Sequence, residues 1–412
     1  MGIGPTIFSL ARRHITGLLH PQLCDNYIMK NFWLAGFFIF VSLLLFYLSQ
    51  NPLWQYHLRV DVDGQYYSAI KTFKEFGHLG NLGYNEYLPG AILFFLSLSP
   101  FSLNLVTAII LANLFLIGIT AFIYKKWVSP KSALAFLVLV LAFGPILLFR
   151  FELFVGLMVL ISVLLFLKNR HDLSFFLLGL ATITKIYPAI VLPIYLLILV
   201  KKKQFKIATI SLWYYFLAII SILTLFFWGL GANISGFIQA LTIHSIKPVH
   251  VESTWGTVVT IFNLVFDHNN AIGKGNWGIY GISPKYILLP LWFFNYFWIF
   301  PVAIYYLKLI RQKFLPRPFD IAGVILVFLA FSKILTAQYL FWYVSLVPLF
   351  IKSRFYMLLI CAVLILSQIV YPLSYNELLG CFYSGGACYF SFSLLTIRNL
   401  ILISLALWLL FF

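Results

Sequence analysis

The sequence predicts an all-α, polytopic transmembrane helical bundle of about twelve spans, within a range of 10–13. Three observations predict it. Apolar runs of roughly 17–25 residues recur along the 412-residue chain, each long enough to cross a ~30 Å hydrocarbon core. Only 9% of the residues are charged, where soluble domains carry roughly 25%, and the mean hydropathy is +0.98. The runs also lack the period-2 alternation of barrel strands. In lipid the backbone must satisfy its own hydrogen bonds, so these runs are helices.

The net charge of +17 comes from 28 basic and 11 acidic residues. The basic residues sit in short clusters between apolar runs, the pattern of cytoplasmic loops. Nucleic acid is therefore not an expected partner. The same rule sets the topology. Arg12, Arg13 and Lys30 place the N-terminal segment 1–31 in the cytoplasm, and no cleavable leader is read there. Span 1 covers about 32–50. Outer loop 1, 51–100, balances Asp61, Asp63, Glu75 and Glu86 against Arg59, Lys71 and Lys74. Within it, 87–99 is apolar but too short to span, and reads as an interfacial or re-entrant piece.

Span 2 (102–124) ends inside at Lys125-Lys126. Spans 3 and 4 (132–149, 152–167) form a hairpin with the outer tip Arg150-Phe151-Glu152. Spans 5 and 6 (173–186, 188–200) form another, with Lys185, Tyr187 and Pro188 at its tip. Lys201, Lys202, Lys203 and Lys206 lie inside, before span 7 (207–230). A second outer loop, 231–285, leads to span 8 (286–307). Lys308, Arg311, Lys313 and Arg317 lie inside. Spans 9 and 10 (321–335, 338–351) share a tip from Ser332-Lys333 to Gln338-Tyr339. Span 11 (355–371), an outer loop 372–393 and span 12 (394–411) complete one transmembrane domain, 1–412, with both termini cytoplasmic.

Ionisable groups at the bilayer centre cost roughly 2.5–3.5 kcal/mol each on insertion scales, so each of the 11 acids is informative. Asp61-Val62-Asp63 offers a general base for a sugar hydroxyl, a divalent-cation pair, or helix-capping acids. Arg150 and Glu152 read either as a tip ion pair or as a phosphate fork with its orienting acid. Lys185 reads as an interfacial snorkel or a phosphate partner. His244, Lys247, His250, Glu252 and Trp255 mix donors, an acid and an aromatic; a lone His and Glu fall short of a zinc set. Lys333, Gln338, Tyr339 and Trp342 mark a third outer tip. Cys381 and Cys388, two of four cysteines, are expected to form a disulfide on an oxidising face. Three tips thus present Arg150, Lys185 and Lys333 on one side, opposite an acidic loop. That suits an anionic lipid headgroup better than a mid-membrane ion path.

These residues resemble a family. Asp63-Gly64-Gln65-Tyr66-Tyr67 is similar to the acidic first-loop motif of GT-C membrane glycosyltransferases. Thr184-Lys185-Ile186-Tyr187-Pro188 resembles the lysine–aromatic–proline signature of glycosyltransferase family 87, the polyprenyl-phosphate-mannose-dependent type. Glu252-Ser253-Thr254-Trp255 resembles its Glu-Ser-x-Trp, and Ser332-Lys333 through Gln338-Tyr339 to Trp342 its Ser-Lys-x-x-Ser-Pro-Gln-Tyr-x-x-Trp segment. The similarity spans roughly 55–350, in order. Two departures stand out. Thr336-Ala337 replaces Ser-Pro, and the Arg150-Phe151-Glu152 tip replaces a polar turn of the Gly-Gln-x-Asn type.

The resemblance implies a GT-C-like bundle whose long first outer loop carries interfacial helices. It implies inverting transfer of a sugar, mannose above all, from a polyprenyl-phosphate donor to a lipid, glycan or protein acceptor. The site would face outward from the plasma membrane and need no obligatory cofactor, a divalent cation at Asp61 and Asp63 being the exception considered. Asp63 is the expected base, with Asp61 in reserve. Lys185, Lys333 and Arg150 would hold the donor phosphate. Glu252, Trp255, Gln338, Tyr339, Glu152, Tyr67, Tyr187 and His250 would contact sugar or acceptor. A transporter or flippase of lipid-linked sugars is the main alternative, and a non-catalytic scaffold a second.

Overall fold

The structure is a computed structural model that describes residues 21–80, 82, 86–266, 272–274, 280–282, 291–351, 353–384 and 389–411. It begins with α1 (Pro21–Ser49). The segment after it folds as α2 (Pro52–Leu58), a π-turn (Val62–Tyr66), α3 (Tyr67–Phe76) and α4 (Pro89–Ser97). The Asn51 side chain caps α2. Gly77, at φ 70, ends α3 in the left-handed conformation that glycine adopts freely. α4 fills the stretch expected to be re-entrant, and its Ala91, Ile92 and Phe95 are buried.

The bundle continues through α5 (Leu105–Trp127), α6 (Pro130–Phe143), α7 (Glu152–Leu167), α8 (His171–Thr184), α9 (Leu192–Lys201) and α10 (Phe205–Thr224). Next come α11 (Ile234–Ile246), β1 (Val249–His250), α12 (Thr254–Phe266), β2 (Ile272–Lys274) and β3 (Tyr280–Ile282). The three strands pair antiparallel with β3 in the middle. After them come α13 (Leu291–Tyr296), α14 (Ile299–Arg311), α15 (Pro318–Phe331), α16 (Leu340–Val344), α17 (Arg354–Gln368), α18 (Tyr375–Ser384) and α19 (Tyr389–Phe411).

Among the described residues, seven helical runs are long and apolar enough to cross a membrane, and five shorter apolar helices accompany them. The protein is an all-α polytopic helical bundle. One detail differs from expectation. The expected span 338–351 is broken into a 3₁₀ turn (Ala337–Tyr339), α16 and a second 3₁₀ turn (Val347–Leu349). Pro348 has no amide hydrogen to continue a helix, and the Ser345 carbonyl instead accepts from the Tyr124 hydroxyl of α5. Within 231–285, α11 is one of the shorter apolar helices.

Close packing fixes the helix positions. A Cβ on Gly179 of α8 would lie 2.4 Å from the Tyr215 carbonyl oxygen of α10, so glycine alone permits that approach. Gly144 closes α6 at φ 67, and the Gln368 amide of α17 reaches past it to donate to the Ala142 carbonyl at 2.6 Å.

The bundle has two unlike ends. Lys125 and Lys126 close α5, Lys168 follows α7, Lys201 closes α9, and Lys308 and Arg311 close α14. There Lys201 donates to the Leu309 and Gln312 carbonyls at 2.7 and 2.6 Å, and Lys308 to the Leu409 carbonyl at 2.6 Å. The other end carries Glu152 at the start of α7, Lys185 after α8 and Lys333 after α15. Sixteen helical residues separate Glu152 from Lys168, about 24 Å.

Candidate active site

The acids of the first loop separate because their backbone is helical. Residues two apart on a helix do not share a face. Asp63 turns outward to Arg59, at 3.0 Å, with both side chains about half exposed. Asp61 turns inward to Arg150, at 3.4 Å. The pair is therefore not shaped as a two-carboxylate clamp. Among the described residues no group of three or more His, Cys, Asp or Glu stands ready for a metal ion.

Arg150 follows a 3₁₀ turn (Gly144–Phe149) and is 2% exposed. Asn113, buried on α5, props this tip by donating to the Leu148 and Arg150 carbonyls, both at 3.0 Å. The guanidinium donates to the Leu58 carbonyl at 2.9 Å and to the Tyr371 hydroxyl at 3.1 Å, and Tyr371 donates on to the His57 carbonyl. The end of α17, the tip before α7 and the end of α2 are thereby joined around one cation.

Glu152 is 1% exposed and meets Lys185 at 2.5 Å. The Lys185 ammonium also lies over the rings of Tyr339, Phe151 and Trp342, at 4.5, 4.7 and 5.1 Å. Tyr187 stacks on Trp342 at 4.0 Å with the rings 3° apart, and Tyr339 stacks on Trp342 at 4.3 Å. Desolvation would leave a bare lysine unstable here; the carboxylate and the aromatic faces offset it. Burial lowers the Lys185 pKa, and Glu152 opposes that change. Asp61 and Arg150 both fall within electrostatic reach of Lys185. Several buried polar atoms in this neighbourhood have no protein partner: Arg150 Nε, Glu152 Oε2, the Tyr187 hydroxyl, Thr336 Oγ1 and Trp342 Nε1. Buried polar groups are nearly always hydrogen-bonded, so a cluster of unpartnered atoms around one ion pair is unusual.

The segments 244–256 and 332–339 lie together. The His250 amide donates to the Lys333 carbonyl at 2.9 Å. Lys333 itself is buried, with its ammonium donating to the Ser245 and Lys247 carbonyls. Lys247 pairs with Glu86. Glu252 is 2% exposed, and burial pushes its carboxyl up to about 7, against Arg398, the Ala337 amide and Arg150, which pull it down. Burial holds the His250 imidazole down at about 3, so it is neutral at pH 7; the Leu335 backbone opposes this, and Lys247 and Arg398 reinforce it.

The expected residues therefore fall into two sets. Asp61, Arg150, Glu152, Lys185, Tyr187, Tyr339 and Glu252 converge, and half-buried Gln338 adjoins Tyr339. Asp63 and Tyr67 do not; both are exposed. Lys333 is bound to backbone carbonyls and His250 to the Glu252 amide, at 3.3 Å, so each braces a loop. Trp255 donates to the Phe331 carbonyl at 3.1 Å and packs among Phe293, Phe294 and Phe297, an anchored ring rather than a free stacking platform. Of the three tip cations, Arg150 and Lys333 are buried and Lys185 is partly buried, and each has protein partners. The Cys381–Cys388 pairing lies outside the described residues.

Sequence reasoning missed Arg398, Asn399 and Tyr371. The first two had a signal: a cation and an amide side by side within the 23-residue apolar helix α19. Tyr371 had none, since one aromatic near the end of an aromatic-rich span says nothing of its partner.

Beside the cluster runs an apolar groove of about 430 Å³, lined by Gly90, Leu93 and Phe94 of α4, Phe115 of α5, Phe154 of α7, and Leu180 and Thr184 of α8. Thr184 of this lining immediately precedes Lys185 in the chain, while Lys185 and Glu152 themselves do not line the groove. Gly90 makes the junction close: a Cβ there would fall 2.9 Å from the Thr184 Cα. No protein-family model matches the chain, and no curated protein matches it.

Proposed function

We propose that the protein is an inverting GT-C-type glycosyltransferase that moves a sugar, mannose on this reading, from a polyprenyl-phosphate donor to a lipid, glycan or protein acceptor. The observation that carries the proposal is the setting of Lys185. It is a cation over three aromatic faces, beside buried polar atoms without protein partners, and it follows directly on Thr184, which lines an apolar groove. An amphiphile with a hydrocarbon tail, an anionic link and a polar ring matches those three surroundings in that order.

On this reading the tail lies in the groove along α4, and the phosphate reaches Lys185 and Arg150. The sugar takes the unpartnered atoms of Glu152, Tyr187 and Trp342. Asp61 takes the base role expected of Asp63, because Asp61 faces the cluster while Asp63 faces solvent. In the free protein Asp61 is held by Arg150. A phosphate competing for that guanidinium loosens the pair and leaves the carboxylate free to accept a proton. Asp61 then deprotonates the acceptor hydroxyl. The acceptor oxygen bonds to the anomeric carbon as the bond from that carbon to the phosphate oxygen breaks. Polyprenyl phosphate departs with the electron pair, and Lys185 and Arg150 stabilise its growing charge. No metal step is needed. The reaction would take place on the face opposite the basic clusters, outward from the plasma membrane.

The test is purified protein in liposomes with radiolabelled polyprenyl-phosphate mannose and a membrane extract as acceptor source. The expected result is label in a lipid, glycan or protein fraction with inverted anomeric configuration, lost in Asp61→Asn. Donor left intact in every fraction, with equal donor binding by the native chain and Lys185→Gln, overturns the proposal.

A further inference from the structure

Arg398 lies in the first half of α19 and is fully buried, an unusual position for a guanidinium in an apolar helix. Its Nη2 donates to the Glu252 carbonyl oxygen at 2.6 Å and stands 4.0 Å from the Glu252 carboxylate. The neighbouring Asn399 amide donates to the Glu252 and Ser253 carbonyls, both at 3.2 Å, and to Thr257 Oγ1 at 2.7 Å. Two consecutive side chains of α19 thus hold three acceptors on the turn that carries Glu252. Ser253 and Gly256 close the turn itself: Ser253 Oγ donates to the His250 carbonyl and accepts from the Gly256 amide at 2.8 Å.

The clamp is incompletely satisfied. Arg398 Nε and Nη1, Glu252 Oε2 and Asn399 Oδ1 are buried without a protein partner. A structural clamp alone would favour full pairing, since each unpaired buried group is destabilising. Glu252 Oε2 is left without a hydrogen bond that would fix its protonation state, and the Arg398 guanidinium stands 4.0 Å from it.

We propose that Arg398, aided by Asn399, is a positioning residue that acts through Glu252, and that the Glu252 carboxyl is a proton-exchanging group of the site. Arg398 holds the turn by its backbone and biases the carboxyl by its charge. The charged and titratable groups facing Glu252 are Arg398 on α19, Arg150 at the tip before α7, and Tyr371 after α17; the neutral His250 imidazole accepts from the Glu252 amide. Burial raises the carboxyl toward neutrality, and Arg398 is the largest opposing influence. Removing that charge should therefore move proton release to higher pH.

The experiment is infrared spectroscopy of the purified full chain in lipid nanodiscs, titrated from pH 5 to pH 9. The native protein should show a protonated-carboxyl band that disappears with rising pH and is absent in Glu252→Gln. In Arg398→Gln the midpoint should rise by at least about one pH unit, tenfold in proton affinity; in Arg398→Lys it should stay near the native value. A native titrating band that persists in Glu252→Gln, or an unmoved midpoint in Arg398→Gln, overturns the proposal. If Arg398→Gln does not fold, the Glu252→Gln/Arg398→Gln double variant leaves no buried unpaired charge. It should fold, and its failure to do so would mean that Arg398 acts independently of Glu252. These readouts need no transferase activity, so they stand or fall separately from the glycosyl-transfer reading.

Discussion

The division of labour between Asp61 and Asp63 turns on two residues of helical phase. In the sequence the two acids are equivalent members of a D-x-D, and the family resemblance favours the second. The π-turn rotates Asp63 to Arg59 and solvent and aims Asp61 at Arg150. Asp61→Asn should lower transfer by about 10²–10⁴-fold, the range of a lost general base, while Asp63→Asn should stay within about threefold of native. A larger loss in Asp63→Asn, measured as initial rates at saturating donor, would return the base role to that residue. Glu252 supports a second prediction at this scale. Its folded pKa is raised, from an ordinary 4.5 to about 7. The stability it contributes is thus fully present below pH 4.5 and is lost as pH rises to about 7. The difference in thermal midpoint between the native chain and Glu252→Gln should therefore change across pH 5–7 and level off above. A difference that stays constant over that window would contradict the raised pKa. Sequence alone exposed Glu252, Arg150 and Lys185 as rare charges; it could not reveal that Arg150 meets Asp61, Lys185 meets Glu152 and Glu252 faces Arg398, because those neighbours lie far apart in the chain.

Elements were legible where length and hydropathy decide the matter. The helices α5, α7, α8 and α17 lie within three residues of their expected limits. The failure has a local cause. In 338–351 hydropathy is high enough for a span, yet Pro348 and the Ser345 carbonyl taken by Tyr124 break it into turns. Close helix approach was likewise invisible, since a glycine in an apolar run looks the same whether crowded or free. Gly179 and Gly236 separate the two cases. Gly179→Ala would drive a methyl against the Tyr215 carbonyl and should destabilise by about 1–3 kcal/mol. Gly236 of α11 has nothing within 4 Å, and Gly236→Ala should be neutral or stabilising by up to about 1 kcal/mol. Thermal unfolding in one detergent compares them directly; equal midpoints would mean that α8 and α10 are free to move apart.

At the scale of the whole molecule, the bundle has one chemical end and one basic end. Each helix crossing between them agrees in direction: α7 runs from Glu152 to Lys168, α8 from His171 to Lys185, α15 from Arg317 to Lys333, and α17 from Arg354 to Tyr371. This polarity was legible from charge counting, and it survives the broken span, because 332–351 still leaves the chemical end and returns to the basic one. An enzyme and a carrier of lipid-linked sugars make opposite demands on it. A carrier must open its polar site to both sides in turn, whereas a transferase needs access from one. In a cysteine-free background, a cysteine at exposed Lys203 and one at exposed His78 should react with a membrane-impermeant thiol reagent from opposite sides of sealed vesicles. A cysteine at Lys185, paired with Glu152→Gln so that no buried charge is left alone, should react only from the His78 side, with or without donor lipid. Labelling of that position from the Lys203 side would favour the carrier, since the groove and the Lys185 cage would then be a passage and not a site of transfer.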